Sequence, residues 1–141
     1  MNRLYVLLLV SISFFVATST AFAGKVEDIQ TKLNQSRQQT MAMLSETDKT
    51  VLEMRYEEAL ASSKEVDASL RNALADLSLQ AQHASFEEFK QVWDTFKTTR
   101  DQEIVPLLMA GKQEQARALA QSAQLDRFKR MNVLLDNARS K

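Results

Sequence analysis

The chain has 141 residues, of which only 2 are Gly and 1 is Pro, and 26% are charged; few turns and long helices follow, and a sheet-rich fold, which needs more turn residues, is excluded. Lys plus Arg and Asp plus Glu stand at 18 each, so no basic surface for a nucleic-acid partner is implied. With no Cys, the chain has neither disulfides nor thiolate metal sites.

The amino terminus reads Met-Asn-Arg, an apolar run from Leu4 to Ala17, then Thr-Ser-Thr and Ala21-Phe22-Ala23 before Gly24. Basic, hydrophobic and small-residue regions in that order predict a secretory signal peptide over residues 1–23, cleaved after Ala23. The expected product, residues 24–141, is periplasmic and has a net charge of −1, from 17 basic and 18 acidic residues. The competing expectation is an inner-membrane anchor made of residues 4–23, about the length of a bilayer span. A second apolar run of spanning length does not occur in the sequence.

From Lys25 to about Leu44, Val26, Ile29, Leu33 and Met43 mark one helix face, and Ser36 and Thr40 hold the same spacing between them. Ser45-Glu-Thr-Asp48 ends that helix and predicts a new start, capped by Ser45 or Thr47. The second helix carries Leu52, Tyr56, Ala59, Ser63, Val66, Leu70, Ala73 and Leu77 at alternating steps of four and three, the seam of a bundle helix fading near Gln80 to His83. Small residues at Ala59, Ser63 and Ala73 predict close approach of a neighbour, whereas Glu57, Glu58, Lys64, Glu65, Asp67 and Arg71 read as solvated.

Ser85-Phe-Glu-Glu88 matches a capping box and predicts a third helix from Phe86, with Phe86, Phe89, Val92, Trp93 and Phe96 as an aromatic core face. Pro106 removes the bond to the Gln102 carbonyl and predicts a bend in the last turn. Gly111 stops this helix, and a fourth runs unbroken to about Arg139 through Ala116, Leu119, Ala120, Ala123, Leu125, Phe128, Met131, Leu134 and Leu135. Four helices of similar length with short connections predict an all-α fold, an antiparallel up-down-up-down four-helix bundle.

Arg100-Asp101, Val105-Pro-Leu-Leu108, the Ala110-Gly111 turn, Gln115-Ala116 with Ala118-Leu119 and the closing Leu134-Leu135, behind an aromatic-rich helix, resemble the four-helix-bundle ligand-binding (sensor) domain of methyl-accepting chemotaxis proteins. The likeness is most specific over residues 90–140. It implies a periplasmic bundle that senses a small molecule, often as a dimer, and hands a helix displacement to signalling modules. The sequence contains no second span and no signalling module, so the expectation is a stand-alone exported domain that binds a small molecule or a membrane-receptor partner. Many members place an acid after the turn Gly where it caps the next helix; Lys112 stands there, so a weaker cap is expected.

The polar middles of two helices are the candidate ligand-binding residues: Ser36, Arg37 and Thr40 on the first, Gln121, Gln124 and Arg127 on the fourth. Side by side they would suit a small carboxylate, which the Arg fork matches, while a solvated or dimer-facing polar stripe is the competing account. The aromatic face could line a pocket for an aromatic ligand, although core packing demands the same spacing. No cofactor or metal is expected: His83 is the one His, placed in a loop, and Met41 and Met43 point in different directions on their helix. No nucleophile stands beside a His and no phosphate loop occurs, so catalysis is not expected. A periplasmic helical chaperone or stress protein is the alternative function, and it would expose a broad apolar patch.

Overall fold

The computed structural model describes residues 16–140, with side chains from Phe22 onward. Most of the expected signal peptide therefore lies outside the described residues; its last part is the start of the first helix. All regular structure among the described residues is helical: α1 (Val16–Met43), α2 (Lys49–Ala75), α3 (His83–Thr99), α4 (Val105–Met109), α5 (Gln113–Gln121) and α6 (Ala123–Arg139). A 3-10 segment, Leu77–Gln82, leads into α3, and a π turn, Arg100–Ile104, joins α3 to α4. The chain thus forms four helical rods: α1, α2, α3 through α4, and α5 with α6. None of the described helices is long and apolar enough to cross a membrane.

Local chemistry explains the boundaries, and several differ from the sequence expectation. Asp48, rather than Ser45 or Thr47, caps α2: its Oδ1 accepts from Thr50 and Val51 N–H at 2.8 and 3.2 Å. Glu46 Oε1 accepts from the two preceding N–H groups, of Thr47 and Asp48, so the first free donors of α2 fall to Asp48. Asp76 ends α2, and its carboxylate accepts from Ser78 N–H at 2.9 Å to start the 3-10 segment. That segment runs directly into α3, which opens at His83; Ser85 lies inside the helix, no side chain caps the start, and the expected capping box is not formed. His83 accordingly sits on a helix rather than in a loop.

Before Pro106 the chain inserts one residue: Val105 N–H reaches back to the Arg100 carbonyl, and Pro106 enters the first turn of α4, where a missing N–H is tolerated. Gly111, at φ 72°, closes α4 as expected, with Gly111 N–H to Leu108 O at 2.9 Å and Lys112 N–H to Leu107 O at 2.8 Å. This is the Schellman pattern, which needs a left-handed residue. No side chain caps α5 at Lys112, in line with the expected weak cap. The fourth rod is not continuous. Ser122 (φ −108°, ψ −101°) breaks it, its hydroxyl donating to the Ala118 and Leu119 carbonyls at 2.8 and 3.4 Å, a back-bonding that competes with the helix ladder.

The rods close on one another: α1 packs on α2 and α6, and α3 packs on α2 and α6. Two buried apolar clusters result. The first gathers Val26, Ile29, Leu33, Val66, Leu70, Ala73, Leu79, the aromatic face Phe86, Phe89, Trp93 and Phe96, and Met131, Leu134, Leu135 and Ala138. Trp93 and Phe96 stack with ring centroids 5.6 Å apart. The second gathers Met43, Leu44, Leu52, Ala59, Ile104, Val105, Leu108, Ala116 and Ala120. Each rod contributes to both clusters, the first and third meeting the aromatic cluster first, the second and fourth meeting it last.

Candidate functional site: a buried polar belt

Between the two clusters every rod carries buried polar side chains: Ser36 and Thr40 on α1, Ser62 and Ser63 on α2, Thr99 and Arg100 at the end of α3, and Gln124 on α6. They form a belt rather than a scatter, because in each rod they fall between residues of the aromatic cluster and residues of the second cluster. Burying such groups without partners costs about 1–3 kcal/mol each, so the belt stands only if they find partners in one another or in nearby carbonyls.

They do. Arg100 has no exposed surface, yet its Nε donates to Asp101 Oδ1 at 2.7 Å and its Nη1 to Ser63 Oγ at 2.6 Å and to the Ala59 carbonyl at 3.4 Å. Ser63 Oγ also bonds Ser36 Oγ at 3.2 Å, which carries the network from α3 through α2 into α1, and Thr40 Oγ1 donates to the Ser36 carbonyl at 3.0 Å. Burial raises the Tyr56 phenol above its ordinary pKa, and the Asp101 carboxylate beside it adds to that rise. On the α3/α6 side, Gln124 Nε2 donates to the Phe96 carbonyl at 2.9 Å, and Arg127 Nη1 donates to Gln124 Oε1 and Thr99 Oγ1 at 2.9 and 3.0 Å. The π turn begins at this same level, at Arg100.

The six candidate residues distribute as follows. Ser36, Thr40 and Gln124 are in the belt. Arg127 braces Gln124 from α6. Arg37 is half-buried on the α1/α6 side, its guanidinium stacked 4.4 Å over the Phe128 ring. Gln121 is exposed. The hydrogen bonds thus join Ser36 with Thr40 and Gln124 with Arg127, but none links the two sets to each other. The belt members not among the candidate site residues are Ser62, Ser63, Thr99 and Arg100, although the sequence places Ser63 on the seam of the second helix. Their signal was present: Arg100 lies four residues after Phe96 and four before Ile104, on the apolar stripe, and Ser63 lies four after Ala59. Asp67, read as solvated, is half-buried and accepts from the Trp93 indole N–H and Lys97 Nζ, both at 2.7 Å.

Chemically the belt offers one buried cation already neutralised by a neighbouring carboxylate, and hydroxyls already bonded. Such an arrangement fixes which helix faces meet and at which height. Two surface depressions of about 300 Å³ each lie elsewhere, one along α1/α2 lined by Gly24, Lys25, Asp28, Lys32, Ser69 and Asn72, the other along α2/α3. Among the described residues, no three His, Cys, Asp or Glu side chains converge as metal ligands. Compared with models of protein families, with curated proteins and with solved structures, the chain matches none.

Proposed function

We propose that the protein is an exported, periplasmic sensor-like domain, an antiparallel up-down-up-down four-helix bundle that binds a small molecule and answers by a shift of its helices, with a membrane receptor or a second copy as the recipient of that shift. The belt carries this reading. A buried charge, a π turn and a polar layer coincide at one level, and π turns recur at functional sites, whereas an apolar layer of the same volume would often stabilise a purely structural bundle more. The antiparallel arrangement is supported by pairs that run in opposite sense along α1 and α2: Lys25 with Asp76, Asp28 with Ser69, and Ser36 with Ser63. Cleavage after Ala23 would leave Gly24 at the start of the domain.

The chaperone alternative fits less well. Among the described residues the exposed large hydrophobic side chains are Met54, Leu77 and Val133; Met54 lies in the first part of α2, while Leu77, expected on the buried seam, lies beyond the other end of that helix as the exposed first residue of the 3-10 segment, so the two do not form one apolar patch.

The test is a thermal-shift screen of the purified exported protein against amino acids, organic acids and aromatic compounds. At a hundredfold excess over Kd a ligand stabilises by about 2.7 kcal/mol, a shift of several degrees for a domain of this size. At least one small carboxylate or aromatic compound is expected to give it; a flat response across the panel removes the small-molecule reading. Mass spectrometry of the exported product tests processing, and a chain beginning before Gly24 would rule out the cleavage.

A further inference from the structure

The depression along α2/α3 is lined by Asp67, Leu70, Arg71, Leu74, Lys90, Asp94 and Lys97. Leu70 is buried in the aromatic cluster and Leu74, partly buried, packs against it, which gives the depression an apolar floor. Around it stand three cations against two carboxylates. Lys90 is paired with Asp94 at 2.7 Å, and Lys97 with Asp67 and Asp94 at 2.7 and 3.2 Å. Arg71 is exposed and makes no ion pair or hydrogen bond with any described residue, although it lines the same depression.

We propose that this groove binds a small carboxylate with an apolar body, the carboxylate held by Arg71 and Lys90 and the body seated on Leu70 and Leu74. The proposal rests on the small-molecule reading above and gives that reading a place and a ligand class. Three features converge on it. The net surplus of one positive charge matches one carboxylate. The guanidinium that supplies the surplus is free to form a fork to both its oxygens. The volume, at the lower end of the range for ligand pockets, suits a small molecule. The groove is also wired to the interior: Asp67, on its wall, accepts from the Trp93 indole N–H, and Lys97 lies 5.4 Å from the Trp93 ring centre. An anion that draws Lys97 or Lys90 from its present carboxylates alters the surroundings of a fully buried ring, about two turns before the belt residues Thr99 and Arg100.

Trp93 is the chain's single Trp, so its fluorescence comes from the one ring that meets the groove through Asp67 and Lys97, and amide shifts separate a change in the groove from one elsewhere in the aromatic cluster. The purified protein is titrated with phenylacetate and with octanoate, with phenylacetamide as a neutral control, and amide chemical shifts are followed alongside. Both carboxylates are expected to change Trp93 emission with a Kd of about millimolar, as exposed charge contacts give, and to shift amides over residues 67–74 and 90–97. Phenylacetamide should do neither. Arg71→Gln, at a surface position without partners, should weaken binding by about fivefold, and Arg71→Glu should weaken it further. Unchanged affinity in Arg71→Gln, equal binding of phenylacetamide, or amide shifts confined to other residues would each overturn the groove. A different compound that raises the melting temperature while leaving Trp93 and these amides unmoved refutes the groove and leaves the sensor reading standing. If these probes and the whole panel are inert, both fall.

Discussion

Arg100 is the side chain on which the interior depends most. A guanidinium without exposed surface is tolerated because Asp101, Ser63 and the Ala59 carbonyl accept its protons. Removing it takes the charged donor from Ser63 and the cationic partner from Asp101 and opens a void, so Arg100→Ala should cost about 3 kcal/mol or more, whereas Arg100→Met, which fills the space without a charge, should cost markedly less. Urea denaturation of the two variants measures the difference; equal losses would mean that the lost charge pairing rather than the lost volume governs the site. At this scale the sequence was half legible. Ser36 and Thr40 announce themselves by interrupting an apolar stripe. Arg100 does so too, but its long stem lets it satisfy either a buried or a snorkelling placement, and only the position of Ser63 on the facing helix decides between them.

Among the elements, the legible features were those set by one residue's own conformation, and the missed ones were those set by competition between neighbours. Gly111 closes α4 as its sequence position suggests, since a left-handed turn has few other occupants. Four adjacent polar residues, Ser45 to Asp48, offer several caps for α2, and Glu46 decides among them by taking the upstream donors. Asp48→Ala should therefore lower stability by about 1 kcal/mol while Ser45→Ala stays within about 0.5 kcal/mol, read from denaturation midpoints; the reverse order would return the cap to Ser45. The break at Ser122 was hidden because Ala, Gln and Leu surround it with strong helix propensity. The inserted residue before Pro106 was hidden because an α pattern and a π turn differ there by one position.

Over the whole molecule, the rods are pinned by surface charge as well as by their cores. Lys25 on α1 bonds Asp76 just past the end of α2, and together with Ser78 it holds the Asp76 carboxyl down at about 2. Ser69, then Lys32, lowers Asp28. Burial alone would raise Asp94, but bonds from Lys90 and Lys97 outweigh it and hold it below the ordinary value. A carboxyl depressed in the fold contributes stability that is present above its unfolded value near 4 and is lost as pH falls through the folded value, so stability should decline between about pH 4 and pH 2. Urea midpoints across that range measure it, and Asp76→Asn should flatten part of the decline; an unchanged slope would show that the Lys25 contact is not populated. The all-helical architecture was legible throughout, since it follows from periodicity and scarce turn residues. The division of its interior was not, because it depends on where polar residues of four separate rods come level. That division has a kinetic meaning. Each half of the molecule has its own apolar core, and the belt between them bonds through hydroxyls and a guanidinium that water can replace, so the halves should behave as two cooperative units that open one at a time. Amide hydrogen exchange would then release Leu52 to Ala59 together with Ile104 to Ala120 as one block, while Val26 to Leu33 and Phe86 to Phe96 remain closed.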